Sequence, residues 1–146
     1  MFDQIALGTV LILVTVAIAG VSAAALEAGL ERARSHLVTP PHRPKLIVVI
    51  CTSSLWLMAM VTADVWLWAV TFHLLGVFPG LEEALYFALV CFTTLGFGDV
   101  LLPVEWRILG GMAAANGVLN FGLMTAFLVE SIRAVRHNQQ RHRRRL

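Results

Sequence analysis

Thr93-Thr94-Leu95-Gly96-Phe97-Gly98-Asp99 lies between two apolar runs, residues 46–75 and 108–129, each long enough to cross a membrane. The stretch itself is polar and punctuated by glycine. Non-helical backbone persists at membrane depth only where protein or water satisfies its N–H and C=O groups. A loop of this kind is therefore expected to line an aqueous path.

The composition around it supports a membrane setting. Of 146 residues, 58% are hydrophobic and 14% charged, which is too apolar for an ordinary soluble domain. A hydrocarbon core of about 30 Å needs about 20 apolar residues per helix. Residues 5–26, 46–75 and 108–129 supply three such runs, whereas residues 81–92 are too few to span. The first run is read as a retained helix and not a cleaved leader, since no basic segment precedes it and it exceeds a typical leader core. Cys51 and Cys91 fall inside apolar segments and imply no disulfide framework.

Charge sets an expected orientation. The net charge of +2 is segregated: Arg32, Arg34, Arg43 and Lys45 lie between the first two spans, and six arginines follow the third. By the positive-inside rule that loop and the tail ending Arg143-Arg144-Arg145 are cytoplasmic, and the N-terminus is outside. Residues 78–106 carry Glu82, Glu83, Asp99 and Glu105 without Lys or Arg, so the polar stretch enters from outside. Anionic lipid is the expected contact of the basic loop and tail, and nothing beside them suits nucleic acid. His36, His42 and His73 read as loop or interfacial side chains. Glu130, Arg133 and His137 can meet on a helix, where His137 protonation would bear on gating.

The first run is apolar on all sides, with Gly8, Thr9, Ala17, Gly20 and Ser22 as small residues for close helix contact, and is read as a peripheral helix. It is expected to continue past Glu27 and Glu31 towards Arg34 and to stop by Pro40-Pro41 and Pro44. In the second run, Asp64 is the one acid, and it needs a partner or a polar surrounding. Trp66 and Trp68 place it towards the outer interface. Asn116 and Asn120, one turn apart in the third run, are expected to bond a neighbouring helix, with Asp64 as a candidate partner.

A turn at residues 76–80 leads into a half-helix over residues 81–93, with Glu82 and Glu83 at its positive end. Its C-terminal end then favours a cation. Gly96 and Gly98 permit backbone that a β-carbon obstructs, so consecutive carbonyls can point towards one axis, and Thr94 adds a hydroxyl. Leu95 and Phe97 are expected to wedge against Tyr86 and Phe87 of the half-helix. One chain gives one such strand, and surrounding an ion takes four, which implies a homotetramer.

On these residues the chain resembles the small prokaryotic pore-loop potassium channels. Thr94-Leu95-Gly96-Phe97-Gly98-Asp99 corresponds to the TVGYGD of their filter, with departures at Leu95 and Phe97. Ala84-Leu85-Tyr86-Phe87 resembles the start of the family's pore helix, and Phe121-Gly122-Leu123-Met124-Thr125-Ala126 its inner-helix FGLVTA. The resemblance implies that the Thr94 hydroxyl and the carbonyls of Thr94, Leu95, Gly96 and Phe97 coordinate dehydrated K+, with Gly98 and Asp99 at the outer mouth. It also places Val118, Phe121 and Thr125 on the cavity face and likens Gly117 to a hinge glycine, a residue equally suited to close packing. Phe97 lacks the phenol of the family's commoner tyrosine, and Val90 stands where some members carry a buried glutamate.

The expected protein is all-α: three transmembrane helices, a re-entrant pore helix and a filter loop, assembled as a homotetrameric pore. Residues 1–45 form the first helix and basic loop, 46–130 the pore domain and 131–146 the basic tail. The expected function is passive K+ conduction in the inner membrane and not catalysis, with K+ as cargo and no organic cofactor. A weakly selective cation channel and a non-conducting scaffold or regulatory subunit are the alternatives.

Overall fold

The structure, a computed structural model, describes residues 1–33 and 42–143, and the side chains of all these except 42, 43, 134–136 and 138–143. The expectations for Arg34, His36 and Pro40-Pro41, and for most side chains of the basic tail, lie outside the described residues.

Among the described residues all regular structure is helical: α1 (Phe2–Arg32), α2 (His42–Leu74), α3 (Leu81–Phe92) and α4 (Arg107–Arg143), with a 3-10 turn at Val104–Trp106 before α4. Three helices are long and apolar enough to cross a membrane, and α3 is not among them. Pro44 does not stop a helix. It sits in the first turn of α2, where the backbone N–H it lacks needs no intrahelical partner.

The chain forms two compact units. The first comprises Met1–Ile18 and Val61–Gly122. Its core gathers Leu11 of α1, Val65, Trp68, Ala69 and Phe72 of α2, Phe87, Ala88 and Phe92 of α3, and Leu109 and Ala113 of α4. Four aromatic rings set α3 against the end of α2. Phe72 lies 5.4 Å from Phe87 and 6.2 Å from Phe78 with rings edge-on, while Trp68 lies 6.0 Å from Phe72 and Phe78 5.2 Å from Phe87 with rings tilted. Such pairs contribute about 0.5–1.5 kcal/mol each beyond the area they bury. Trp68 is therefore a core residue and not an interfacial anchor, whereas its neighbour Trp66 is exposed. In the second unit, Ala19–Met60 and Leu123–Leu146, Val49 packs with Leu30 and Leu46, and the Trp56 indole donates to the Ser22 hydroxyl at 2.8 Å.

Because α1 is apolar all round, its hydrophobic pattern does not select a buried face; its polar and small residues do. Gln4, Gly8, Leu11 and Thr15 form a buried stripe at helical spacing. The Thr15 hydroxyl lies 2.8 Å from Asn116 Oδ1 and 2.9 Å from the Ile12 carbonyl, and Asn120 Nδ2 reaches the same Asn116 oxygen at 3.2 Å. The hydroxyl has one proton for two acceptors. With the amides turned over, Asn116 donates to the hydroxyl instead, so Thr15 and Asn116 are paired in either assignment. Asn116 thus bonds a neighbouring helix, as expected, but that helix is α1, and Asn120 bonds Asn116 on its own helix and not a neighbour.

Asp64 is fully buried, and neither of its carboxyl oxygens has a hydrogen-bond partner among the described residues. The Asp64–Asn116 bond is not formed: Thr15 and Asn120 both meet Asn116 Oδ1, and Asn116 Nδ2 does not reach the Asp64 carboxyl. An opposite response to the same substitution follows. Asn116→Leu leaves Thr15 and Asn120 without their shared partner and lowers stability in detergent by about 1–2 kcal/mol. Asp64→Leu strands no partner, removes a desolvated carboxyl and leaves stability equal or higher. Thermal unfolding of the two variants checks this, and the reverse order contradicts it.

Candidate functional site

The polar loop is set by how α3 ends. Thr93 closes the helix with its N–H on the Leu89 carbonyl at 3.0 Å, and its hydroxyl donates to the same carbonyl at 2.8 Å. The Thr94 N–H then bonds to Cys91 O at 2.9 Å and the Leu95 N–H to Val90 O at 3.0 Å. This pair is a Schellman motif, and its second-to-last residue must be left-handed. Thr94 accordingly has φ 58°.

The end of α2 offers a control within the same chain. There Gly76 N–H bonds to His73 O and Val77 N–H to Phe72 O, the identical pair of bonds, with glycine at φ 67° in the strained place. Glycine takes that conformation freely, whereas for a residue with a β-carbon it costs about 1–2 kcal/mol. A β-branched residue held there is an outlier of the kind that gathers at functional sites.

From Thr94 onward the hand of the backbone alternates. Gly96 has φ 58° and Gly98 φ 77°, while Leu95, Phe97 and Asp99 stay out of the left-handed region. An extended strand points successive carbonyls to opposite sides. Reversing the hand at every second residue counters that alternation, the backbone pattern that carbonyls directed to one edge require.

The contacts behind the loop differ from expectation. Leu95 and Phe97 are 56% and 66% exposed, so within the chain they do not wedge against Tyr86 and Phe87. Phe87 is instead buried in the aromatic group with Phe72 and Phe78. Tyr86 makes a polar contact: its hydroxyl donates to Asp99 Oδ2 at 2.6 Å, while Asp99 Oδ1 accepts the Val100 N–H at 3.0 Å. The Tyr86 bond, with two backbone N–H bonds, holds the Asp99 carboxyl below its ordinary range, and Asp99 in turn raises the Tyr86 phenol. Read from sequence, Tyr86 was aromatic bulk. The phenol was the only available signal, and its partner thirteen residues on is brought near by the loop.

Beneath the loop, α4 approaches at Gly117. A β-carbon there would fall on the Phe92 carbonyl, 2.8 Å from its carbon and its Cα. The position therefore has a packing reason to be glycine, and α4 runs unbroken across it. Val118, Phe121 and Thr125 are exposed on α4, whereas Asn116 and Asn120 are buried, and the Phe121 ring meets that of Phe92 at 5.6 Å. Val90 is buried and apolar at the end of α3. Among the described residues no three His, Cys, Asp or Glu side chains converge on a metal position, so a cation at the loop would rest on carbonyl and hydroxyl oxygens.

A sequence model of the ion-channel family matches residues 46–134, more than half of the chain, and the chain belongs to that family. It is a membrane protein of ion-channel type whose matched region holds most of α2, α3, the polar loop and most of α4, with α1 outside it. Comparison with curated proteins and with solved structures gives no match.

Two outcomes test this geometry. Tyr86→Phe frees Asp99, whose carboxyl then titrates at higher pH than in the parent; titration followed in the purified variant checks this, and an unchanged Asp99 titration contradicts the tie. Gly117→Ala forces α4 away from Phe92 and costs about 1–3 kcal/mol in thermal unfolding. Gly122→Ala, with nothing within 4 Å of the added carbon, is tolerated.

Proposed function

We propose that the chain is one subunit of a homotetrameric potassium channel that conducts K+ passively across the inner membrane. The observation that carries this reading is Thr94 held at φ 58° in alternation with Gly96 and Gly98, where glycine would relieve the strain. What threonine adds over glycine there is a hydroxyl beside the loop's carbonyls. In the proposed pore the Thr94 hydroxyl and the carbonyls of Thr94, Leu95, Gly96 and Phe97 replace the hydration shell of K+. Gly98 and Asp99 form the outer mouth, with Asp99 fixed by Tyr86.

Several features favour four copies around an axis. Leu95 and Phe97 of the loop and Val118 and Phe121 of α4 are apolar and exposed. Neighbouring subunits would cover part of this surface, and Val118, Phe121 and Thr125 would line the cavity below. The negative end of the α3 dipole favours a cation there. The basic loop and tail would face the cytoplasm and anionic lipid, with the N-terminus outside.

A weakly selective cation pore is the second reading, favoured by Phe97, which has no hydroxyl, and by the apolar Val90 behind the loop. Purified protein in liposomes should show potassium-driven flux that barium blocks. Equal flux with sodium supports the second reading. Intact tetramers without flux at any pH or lipid composition tested would mean a non-conducting scaffold.

A further inference from the structure

α1 lies outside the region that matches the ion-channel family, yet it is bonded to the helix beneath the polar loop. The contacts fall at matched intervals. Gln4 uses both ends of its amide: Nε2 donates to the Glu105 carbonyl, and Oε1 accepts the Leu109 N–H at 3.4 Å. That N–H belongs to the first turn of α4, where a helix leaves donors to be satisfied from outside. One turn on, Gly8 faces the Met112 and Leu109 side chains so closely that a β-carbon would displace them. Thr15 and Asn116 make the last tie at 2.8 Å.

The α1 positions 4, 8 and 15 rise together with position 105 in the 3-10 turn and positions 109, 112 and 116 of α4, so the two helices run in the same direction. Gln4 to Thr15 and Glu105 to Asn116 each span eleven residues, about 16 Å of helix. The two hydrogen-bonded ties therefore hold α4 at both ends of one segment, from its start after the loop to the residue before Gly117. Two apolar helices in lipid have little to fix their register, so polar contacts of this kind decide it.

We infer that α1 is a built-in brace whose Gln4 and Thr15 are positioning residues that set the channel's gating equilibrium by holding the outer half of α4 in register. Neither side chain belongs to the loop or to the face carrying Val118, Phe121 and Thr125. A ligand-free element of this sort biases an equilibrium only if its contacts differ between states. Loss of the ties should then change how often the channel is open and leave unchanged what passes through it.

The inference rests on channel activity, and single-channel recording of the purified full chain in planar bilayers separates the two. A parent that carries no current fails the channel reading itself. In a conducting parent, Gln4→Leu and Thr15→Val are each expected to shift open probability by at least about threefold, and together by more. Unitary conductance and reversal potential stay as in the parent. Thr15→Ser, which keeps the hydroxyl, and Val14→Ala, on the exposed face of α1, gate as the parent does. The inference is overturned if the double variant gates like the parent, if Thr15→Ser behaves like Thr15→Val, or if conductance or selectivity moves instead of open probability. A Thr15→Val chain that fails to assemble also overturns it, because the tie would then serve folding and not gating.

Discussion

The Phe92 carbonyl lying against the backbone of Gly117 is the contact on which the rest of the unit depends. It fixes the depth at which α3 stops, since no side chain larger than hydrogen fits between the two backbones. Where α3 stops decides which carbonyls remain for the next turn, and Val90 and Cys91 are taken up by the N–H groups of Leu95 and Thr94. That bonding forces Thr94 into the left-handed region and begins the alternation through Gly98. The first two N–H groups of the irregular backbone, those of Thr94 and Leu95, are thus satisfied by the helix it leaves.

Two kinds of force do different work here. The aromatic group of Trp68, Phe72, Phe78 and Phe87 supplies burial and holds α3 against α2. Burial alone is weakly directional between helices that are apolar on every side. The hydrogen bonds are few and specific: Gln4 to the start of α4, Thr15 to Asn116, and Tyr86 to Asp99. The first two join residues far apart in the chain, and each of the three limits how one element can slide or turn against another. Asp64 is buried with neither carboxyl oxygen partnered among the described residues, and the Ser53 hydroxyl and the Trp68 indole N–H are likewise buried without a partner there.

The long elements were legible because length and apolar content report a span directly. The half-helix was expected over residues 81–93 and is found at Leu81–Phe92. Gly96 and Gly98 announced the unusual backbone, but Thr94 did not, since threonine is a poor advertisement for a left-handed turn. The pairings were less legible. Asn116 asked for a partner, and Asp64 was the obvious acid, yet Thr15 of α1 holds the place because α1 packs along α4 in register. Gln4 gave no sign from sequence, as its value comes from lying opposite the first turn of α4. Tyr86 and Phe87 are adjacent aromatics with opposite fates, one bonded to the loop and one in the core. Only the rotation of α3 separates them.

The proposed role of residues 94–98 makes a direct claim about where a monovalent cation sits. Thallium or rubidium can replace K+ and scatters anomalously, so a crystal of the assembled protein grown with either ion reports its position. A fourfold pore built as proposed gives a column of anomalous peaks on the symmetry axis, level with the Thr94 hydroxyl and the carbonyls of residues 94–97. An axis without peaks at that level, or ions bound only elsewhere, would contradict it.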